Sequence, residues 1–130
     1  FDIFRNVWTP GGGLVLKTVM GCIKALADRH RVRALLALPG QELCLCNLQD
    51  LLGLVPSSVS RHMSILQEAG CVVSRKKGKW TYFSLAPLEG DAPCAGLLRW
   101  VLESLENDPA TQSDRELVRQ LKKKDSERCN

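Results

Sequence analysis

Pro56-Ser57-Ser58-Val59-Ser60-Arg61-His62-Met63-Ser64-Ile65-Leu66-Gln67-Glu68-Ala69-Gly70 is the stretch that decides the fold. Val59, Met63 and Leu66 stand at i, i+4 and i+7, the spacing of one buried helix face, while Ser57, Ser60, Arg61, Ser64 and Glu68 fall on the other. Proline suits the first helical position and glycine the position just past the end, so a helix is predicted over about 56–69. Upstream, residues 43–52 read as a helix of about three turns closed by Gly53. Only Leu54-Val55 link the two, and a pair of short helices joined so tightly is a helix-turn-helix.

Working outward, Val72-Val73-Ser74-Arg75 and Trp80-Thr81-Tyr82-Phe83-Ser84-Leu85 are rich in β-branched and aromatic residues and flank Lys76-Lys77-Gly78-Lys79. They predict a hairpin with a basic tip. On the N-terminal side, apolar residues recur at three and four over 22–38 until Pro39-Gly40 stops the run, which reads as a helix. On the C-terminal side, Cys94, Leu97, Leu98, Val101, Leu102 and Leu105 mark an amphipathic helix that Pro109 ends. Ser113 with Glu116 is a capping-box pattern, so a short terminal helix is expected before Lys122-Lys123-Lys124. The expected fold is mainly α with a β-hairpin, a winged helix-turn-helix. Its domain is expected to span 20–107, after an extension over 1–19 of no assigned role and before a C-terminal tail over 108–130. Met20 is expected to be the natural start.

The chain has 130 residues, 45% hydrophobic and 25% charged, enough for one core without staples or a structural metal. No apolar stretch approaches the roughly 18 residues of a membrane helix, so a soluble cytoplasmic protein with no membrane partner is expected. Six cysteines without a secretory signal read as reduced thiols. The net charge of +4 decides nothing until its location is known. That location is informative: a helix of short polar side chains followed by a lysine-tipped hairpin suits insertion into a DNA groove. Ser57, Ser58, Ser60, Arg61 and His62 would approach base edges, and Lys76, Lys77 and Lys79 would meet phosphates. The competing reading is a solvated helix face beside an ordinary hairpin tip; the order of helix, turn, helix and basic hairpin favours double-stranded DNA.

Lys24-Ala25-Leu26-Ala27-Asp28, Glu42-Leu43-Cys44-Leu45-Cys46-Asn47-Leu48, the 59–70 stretch and Gly78-Lys79-Trp80-Thr81-Tyr82 resemble the ArsR/SmtB repressor family in content and order, over about 20–105. The resemblance implies a homodimeric winged helix, paired through its first helix and its long C-terminal helix, with one recognition helix per operator half-site. Val55-Pro56 stand where the family often carries a Ser-Gln pair.

Cys44-Leu45-Cys46 is similar to the arsenic-binding signature of the arsenical repressors. Soft thiolates suit As(III) or Sb(III), the inducers the resemblance implies, and cysteines in the first turn of a helix form thiolate more readily. Two residues apart on an ideal helix point about 200° from each other, so both are expected to reach one ion only if the turn distorts. Alternation with Leu43, Leu45 and Leu48 is also what buried cysteines would show. The family's usual third ligand position is Gln49 here, leaving Cys129 or Cys94 as candidates, across the dimer or within it, or else an exogenous thiol or binding by two sulfurs alone. Cys22 and Cys71 sit among apolar neighbours and read as packing residues. The helix over 94–105 contains no histidine, which disfavours a zinc site there.

The expected function is an arsenite- or antimonite-responsive repressor that leaves operator DNA when Cys44 and Cys46 bind the ion. The alternative is a thiol-based redox regulator of the same fold, since low-pKa thiolates are oxidisable; a strained ring between cysteines two apart weighs against a disulfide there. A constitutive DNA-binding module is a third class. An enzyme is not expected, because no phosphate loop, metalloprotease motif or nucleophile with its base is present.

Overall fold

A computed structural model describes residues 12–88 and 93–128. In chain order these form α1 (Gly12–Leu26), α2 (Arg29–Ala37), β1 (Leu43–Cys44), α3 (Leu45–Leu52), α4 (Pro56–Glu68), β2 (Val72–Lys77), β3 (Trp80–Leu85), α5 (Pro93–Leu105) and α6 (Pro109–Arg128). The helix-turn-helix is α3 and α4, and the hairpin is β2 and β3, antiparallel with Lys77 opposite Trp80. Gly78 supplies the positive φ of 62° that this two-residue turn requires. Gly53, at φ 67°, ends α3 in the left-handed conformation and donates its N–H to Gln49 O. Among the described residues no helix is long and apolar enough to cross a membrane.

Three elements depart from the sequence expectation. The run over 22–38 is two helices, because Asp28 interrupts it: its carboxylate accepts from the backbone N–H groups of His30 at 2.8 Å and Arg31 at 3.2 Å, opening α2. Arg31 closes α1 from the same junction, donating to Ala25 O at 2.6 Å and Lys24 O at 3.1 Å. α1 also begins at Gly12, inside the stretch expected to be an extension. At the other end the terminal helix starts at Pro109, not at Ser113, since proline occupies the first turn and Asp108 Oδ1 takes the Ala110 N–H at 2.9 Å. This 20-residue helix is no loose tail. It buries Val118 and Thr111, and Asp114 grips Arg33 of α2 with two bonds at 2.9 and 3.0 Å.

The third departure is β1. Leu43 and Cys44 leave the expected helix to pair with Phe83 and Tyr82, making a three-stranded sheet in the order β1-β3-β2. The core lies between this sheet and the helices. Leu35 of α2 and its C-cap Leu38, Leu48 of α3, and Val59, Met63 and Leu66 of α4 are fully buried there with Leu43, Val72 and Leu98. The three α4 residues are those whose spacing predicted the buried face.

Candidate metal centre and nucleic-acid interface

Because Cys44 belongs to β1, it is the N-cap of α3 and not part of its first turn, with φ −76° and ψ 163°. Its extended backbone turns its sulfur back over the helix start, where Cys46 lies. The two Sγ atoms come into bonding contact with Cα atoms 5.3 Å apart. The distortion expected of an ideal helix is therefore unnecessary: the strand-to-helix junction already brings the pair together. Cys22 and Cys94 form a second such contact, joining α1 to α5 with Cα atoms 5.7 Å apart. Both separations suit a cross-link, so the expectation of isolated reduced thiols is corrected for these four residues. Cys94 is also removed from the candidates for the metal centre, since its sulfur lies against Cys22 and 3.0 Å from Ala69 O. Cys71 is buried, and desolvation pushes its thiol pKa up, so it supplies no ready thiolate. Cys129 falls outside the described residues.

Asn47 organises the junction. Its backbone N–H donates to Cys44 Sγ at 3.3 Å, while its side-chain Oδ1 accepts from Cys44 N–H at 3.2 Å, a reciprocal cap. Asn47 Nδ2 in turn donates to the carboxylate of Asp125 on α6. One ligand atom each from Cys44, Cys46 and Asp125 lies within 4.8 Å of the others. Sequence reasoning passed over Asp125, because α6 read as a tail. Gln49 does not line this site.

The three groups open on a cavity of about 410 Å³ whose other walls are Glu42, Asn47, Trp80, Tyr82 and Lys122. Arg75 binds the carboxylate of Glu42 through two bonds at 2.6 and 2.7 Å, and its guanidinium lies 5.3 Å from the Tyr82 ring centre. That hydrogen bond lowers the Glu42 pKa against a smaller desolvation effect. Lys122 Nζ donates to Gln41 Oε1 at 3.2 Å.

On α4, Ser57, Ser60 and Arg61 are exposed on one face, and Ser58 is half-buried. His62 is turned the other way. Its side chain is 18% exposed, and its Nδ1 accepts from Arg31 at 3.1 Å and lies 4.0 Å from Asp28. It fastens α4 to the α1–α2 junction, which corrects its expected reach to base edges. Burial, foremost, with Arg31, His30 and Arg61, lowers its pKa against the opposing pull of Asp28. Lys76, Lys77 and Lys79 are exposed along one end of the hairpin, with Lys79 Nζ 5.4 Å from the Trp80 ring centre. Val55, the N-cap of α4, makes no side-chain cap bond, because its side chain carries no acceptor.

A helix-turn-helix with a basic hairpin beside its second helix is the architecture of winged-helix DNA-binding regulators. The chain belongs to the arsR family of bacterial regulatory proteins, whose model matches residues 28–74. A Halobacterium salinarum protein named as an arsenical resistance operon repressor is 39% identical over 70% of this chain and 71% of its own length. An arsenic resistance transcriptional regulator of Pseudomonas putida is 40% identical over 60% of this chain and 62% of its own. The homodimeric winged helix-turn-helix DNA-binding domain of a Mycobacterium bovis protein superposes with a TM-score of 0.63 at 22% identity, covering 75% of this chain and 87% of that one. The chain is thus a transcriptional repressor of the arsR type, a family of regulators and not of enzymes.

Proposed function

We propose that this repressor responds to arsenite or antimonite, binding operator DNA as a homodimer and leaving it when As(III) or Sb(III) is held by the Cys44 and Cys46 thiolates. The observation that carries this reading is the meeting of the two sulfurs at the N-cap of α3. In the dithiol form they offer one soft ion two ligands without unwinding a helix. The names of the arsenic-resistance relatives support the choice of ion.

Binding at the junction acts on α4 through α3. An ion on Cys44 Sγ competes with the Asn47 N–H that the sulfur accepts, and hence with the Asn47–Asp125 bond to α6. α3 is only eight residues long and packs Leu48, Leu51 and Leu52 into the core shared with Val59, Met63 and Leu66. A shift at its start is therefore passed to the recognition helix, and ion and operator oppose each other through a coupling of about 1–3 kcal/mol. On the DNA side, Ser57, Ser58, Ser60 and Arg61 would face the major groove and Lys76, Lys77 and Lys79 the phosphates.

The homodimer is supported by an apolar face left open on α1, where Val15, Leu16, Met20 and Ile23 are exposed, and by Trp100 of the adjoining α5, 67% exposed. Fluorescence anisotropy of the phosphine-reduced protein on the promoter of its own gene tests the proposal, with arsenite, antimonite, zinc and hydrogen peroxide added in turn. Release by arsenite or antimonite that is lost in Cys44→Ser is the expected result. Release by peroxide alone, or by arsenite equally in Cys44→Ser, would overturn it.

A further inference from the structure

The C-terminal end of α6 stands beside the basic hairpin. Along the helix, Asp114 binds Arg33 of α2, Lys122 Nζ donates to Gln41 Oε1 at 3.2 Å, and Asp125 accepts the Asn47 amide in the first turn of α3. β1 runs the same way, with Leu43 opposite Phe83 and Cys44 opposite Tyr82, toward the hairpin tip at Gly78. α6 and β1 thus arrive together at the wing: Lys122 and Asp125 line one cavity with Trp80, and Trp80 pairs with Lys77. Lys122 and Lys77 both lie close enough to Glu42 to favour its charged form. The positive charge at this place is left over, because Arg75 takes Glu42 through two bonds and the nearby acids Glu116 and Asp125 are engaged by Arg119 and Asn47. Among the described residues, Lys122, Lys123 and Lys124 are exposed and in no ion pair. Each residue turns about 100° round the helix, so with Lys122 at the cavity, Lys123 and Lys124 project from the outer side of α6.

We propose that Lys123 and Lys124 form a second phosphate-binding surface beside the wing, with which each protomer grips the backbone of duplex DNA outside the half-site that α4 reads. The inference rests on the reading that α4 and the hairpin face operator DNA. The occupant is the DNA backbone because these lysines continue the cationic edge of Lys76, Lys77 and Lys79, and flexible, uncommitted ammonium groups suit a regular row of phosphates that is met for its charge and not its sequence. The side of the molecule also fits. α1 and α5 carry the open apolar surface assigned to the dimer, whereas α6 packs on α2 and α3, which leaves its lysines on the flank of the wing. The contact lengthens the footprint without adding a base to the code.

Fluorescence anisotropy of the full, phosphine-reduced chain tests this on two duplexes from the promoter of its own gene. One ends at the outer edges of the half-sites, and the other carries about 10 further base pairs of unrelated sequence on each side, one turn of the double helix. The native chain should bind the longer duplex roughly tenfold more tightly at about 0.1 M salt, with a slope of log affinity against log salt that is steeper by about one for each added phosphate contact. Lys123→Gln combined with Lys124→Gln should abolish the difference between the duplexes while leaving the shorter one bound within about twofold, and Lys123→Arg with Lys124→Arg should retain it. Equal affinity and slope on the two duplexes in the native chain would overturn the inference, as would a difference that survives in the glutamine variant. Lysines near a helix C-terminus also favour the helix dipole. If that is their whole role, the glutamine variant loses thermal stability with both salt slopes unchanged, and the inference falls while the proposed function stands. If the native chain binds neither duplex, the proposed function fails and this inference with it.

Discussion

Replacing Asn47 by alanine should damage the candidate metal centre and the fold together. Asn47 is buried and holds the strand-to-helix junction from three directions: it accepts the Cys44 N–H, donates its own N–H to the Cys44 sulfur, and donates its amide to Asp125. Alanine keeps only the backbone bond. Loss of the side-chain half of the cap leaves the Cys44 N–H unpaired in a buried site, at a cost of about 1–3 kcal/mol. This corresponds to a fall in Tm on the order of 5–10 °C for a chain of this size. Urea unfolding followed by circular dichroism measures it directly. Asn47→Asp separates the roles, because it keeps an acceptor for Cys44 while setting a second carboxylate against Asp125. Combining it with Asp125→Asn reverses the polarity of that contact and should recover most of the loss. A loss below about 0.5 kcal/mol in Asn47→Ala, or no recovery in the double variant, would refute the account of Asn47 as the junction's organiser.

Asp28→Ala should cost about 1 kcal/mol in the same unfolding assay by removing the N-cap of α2, and Asp28→Asn or Asp28→Ser should recover most of it. The depressed pKa of His62 gives a signed pH dependence. Its neutral form is native, so the unfolded chain binds more protons as pH falls below its ordinary value near 6.5, and this share of stability is lost from there down through the folded pKa. His62→Gln should flatten that portion of a stability-against-pH curve, and an unchanged curve would show that His62 does not titrate between the two states. Lys77→Ala or Lys79→Ala should weaken binding to every DNA sequence and reduce the salt slope by about one for each phosphate no longer neutralised. An unaltered slope in anisotropy titrations would take the hairpin out of the interface.

What was legible in the sequence was whatever periodicity and punctuation could carry. Val59, Met63 and Leu66 declared the buried side of α4, Pro56 and Gly53 fixed the turn before it, and alternating β-branched and aromatic residues declared the hairpin. Tertiary pairing was not legible. The spacing of Leu45, Leu48 and Leu52 fits a helix, and only the bonding of Leu43 and Cys44 to β3, a strand some 40 residues on, makes the first two residues of the expected helix a strand. The break at Asp28 was written in the sequence as an N-cap residue but was hidden by uninterrupted apolar spacing on both sides. His62 looked like one more polar residue on an outward face, and its direction became clear only with Arg31 and Asp28 in place.

That one misplaced strand changes the mechanism proposed for the repressor. Were both cysteines inside α3, an ion could join them only by unwinding the first turn, and the cost of unwinding would oppose binding. With Cys44 in β1 and Cys46 in α3, the sulfurs already meet, and the same cap that shapes the site is the one that the proposed ion would disturb. Asn47 then connects that disturbance in two directions, along α3 toward Val59 and Met63 of the recognition helix, and across to Asp125 of α6. The Arg33–Asp114 pair anchors α6 to α2, and Arg33 also donates to Leu51 O of α3, so α6 is the reference that holds α3 near both its ends. Loosening that reference with Asp114→Ala should therefore weaken the coupling between arsenite and operator more than it weakens either binding alone, measurable as a smaller ratio of operator affinities with and without arsenite. A ratio identical to that of the native chain would show that α6 plays no part in transmission and that α3 carries the signal unaided.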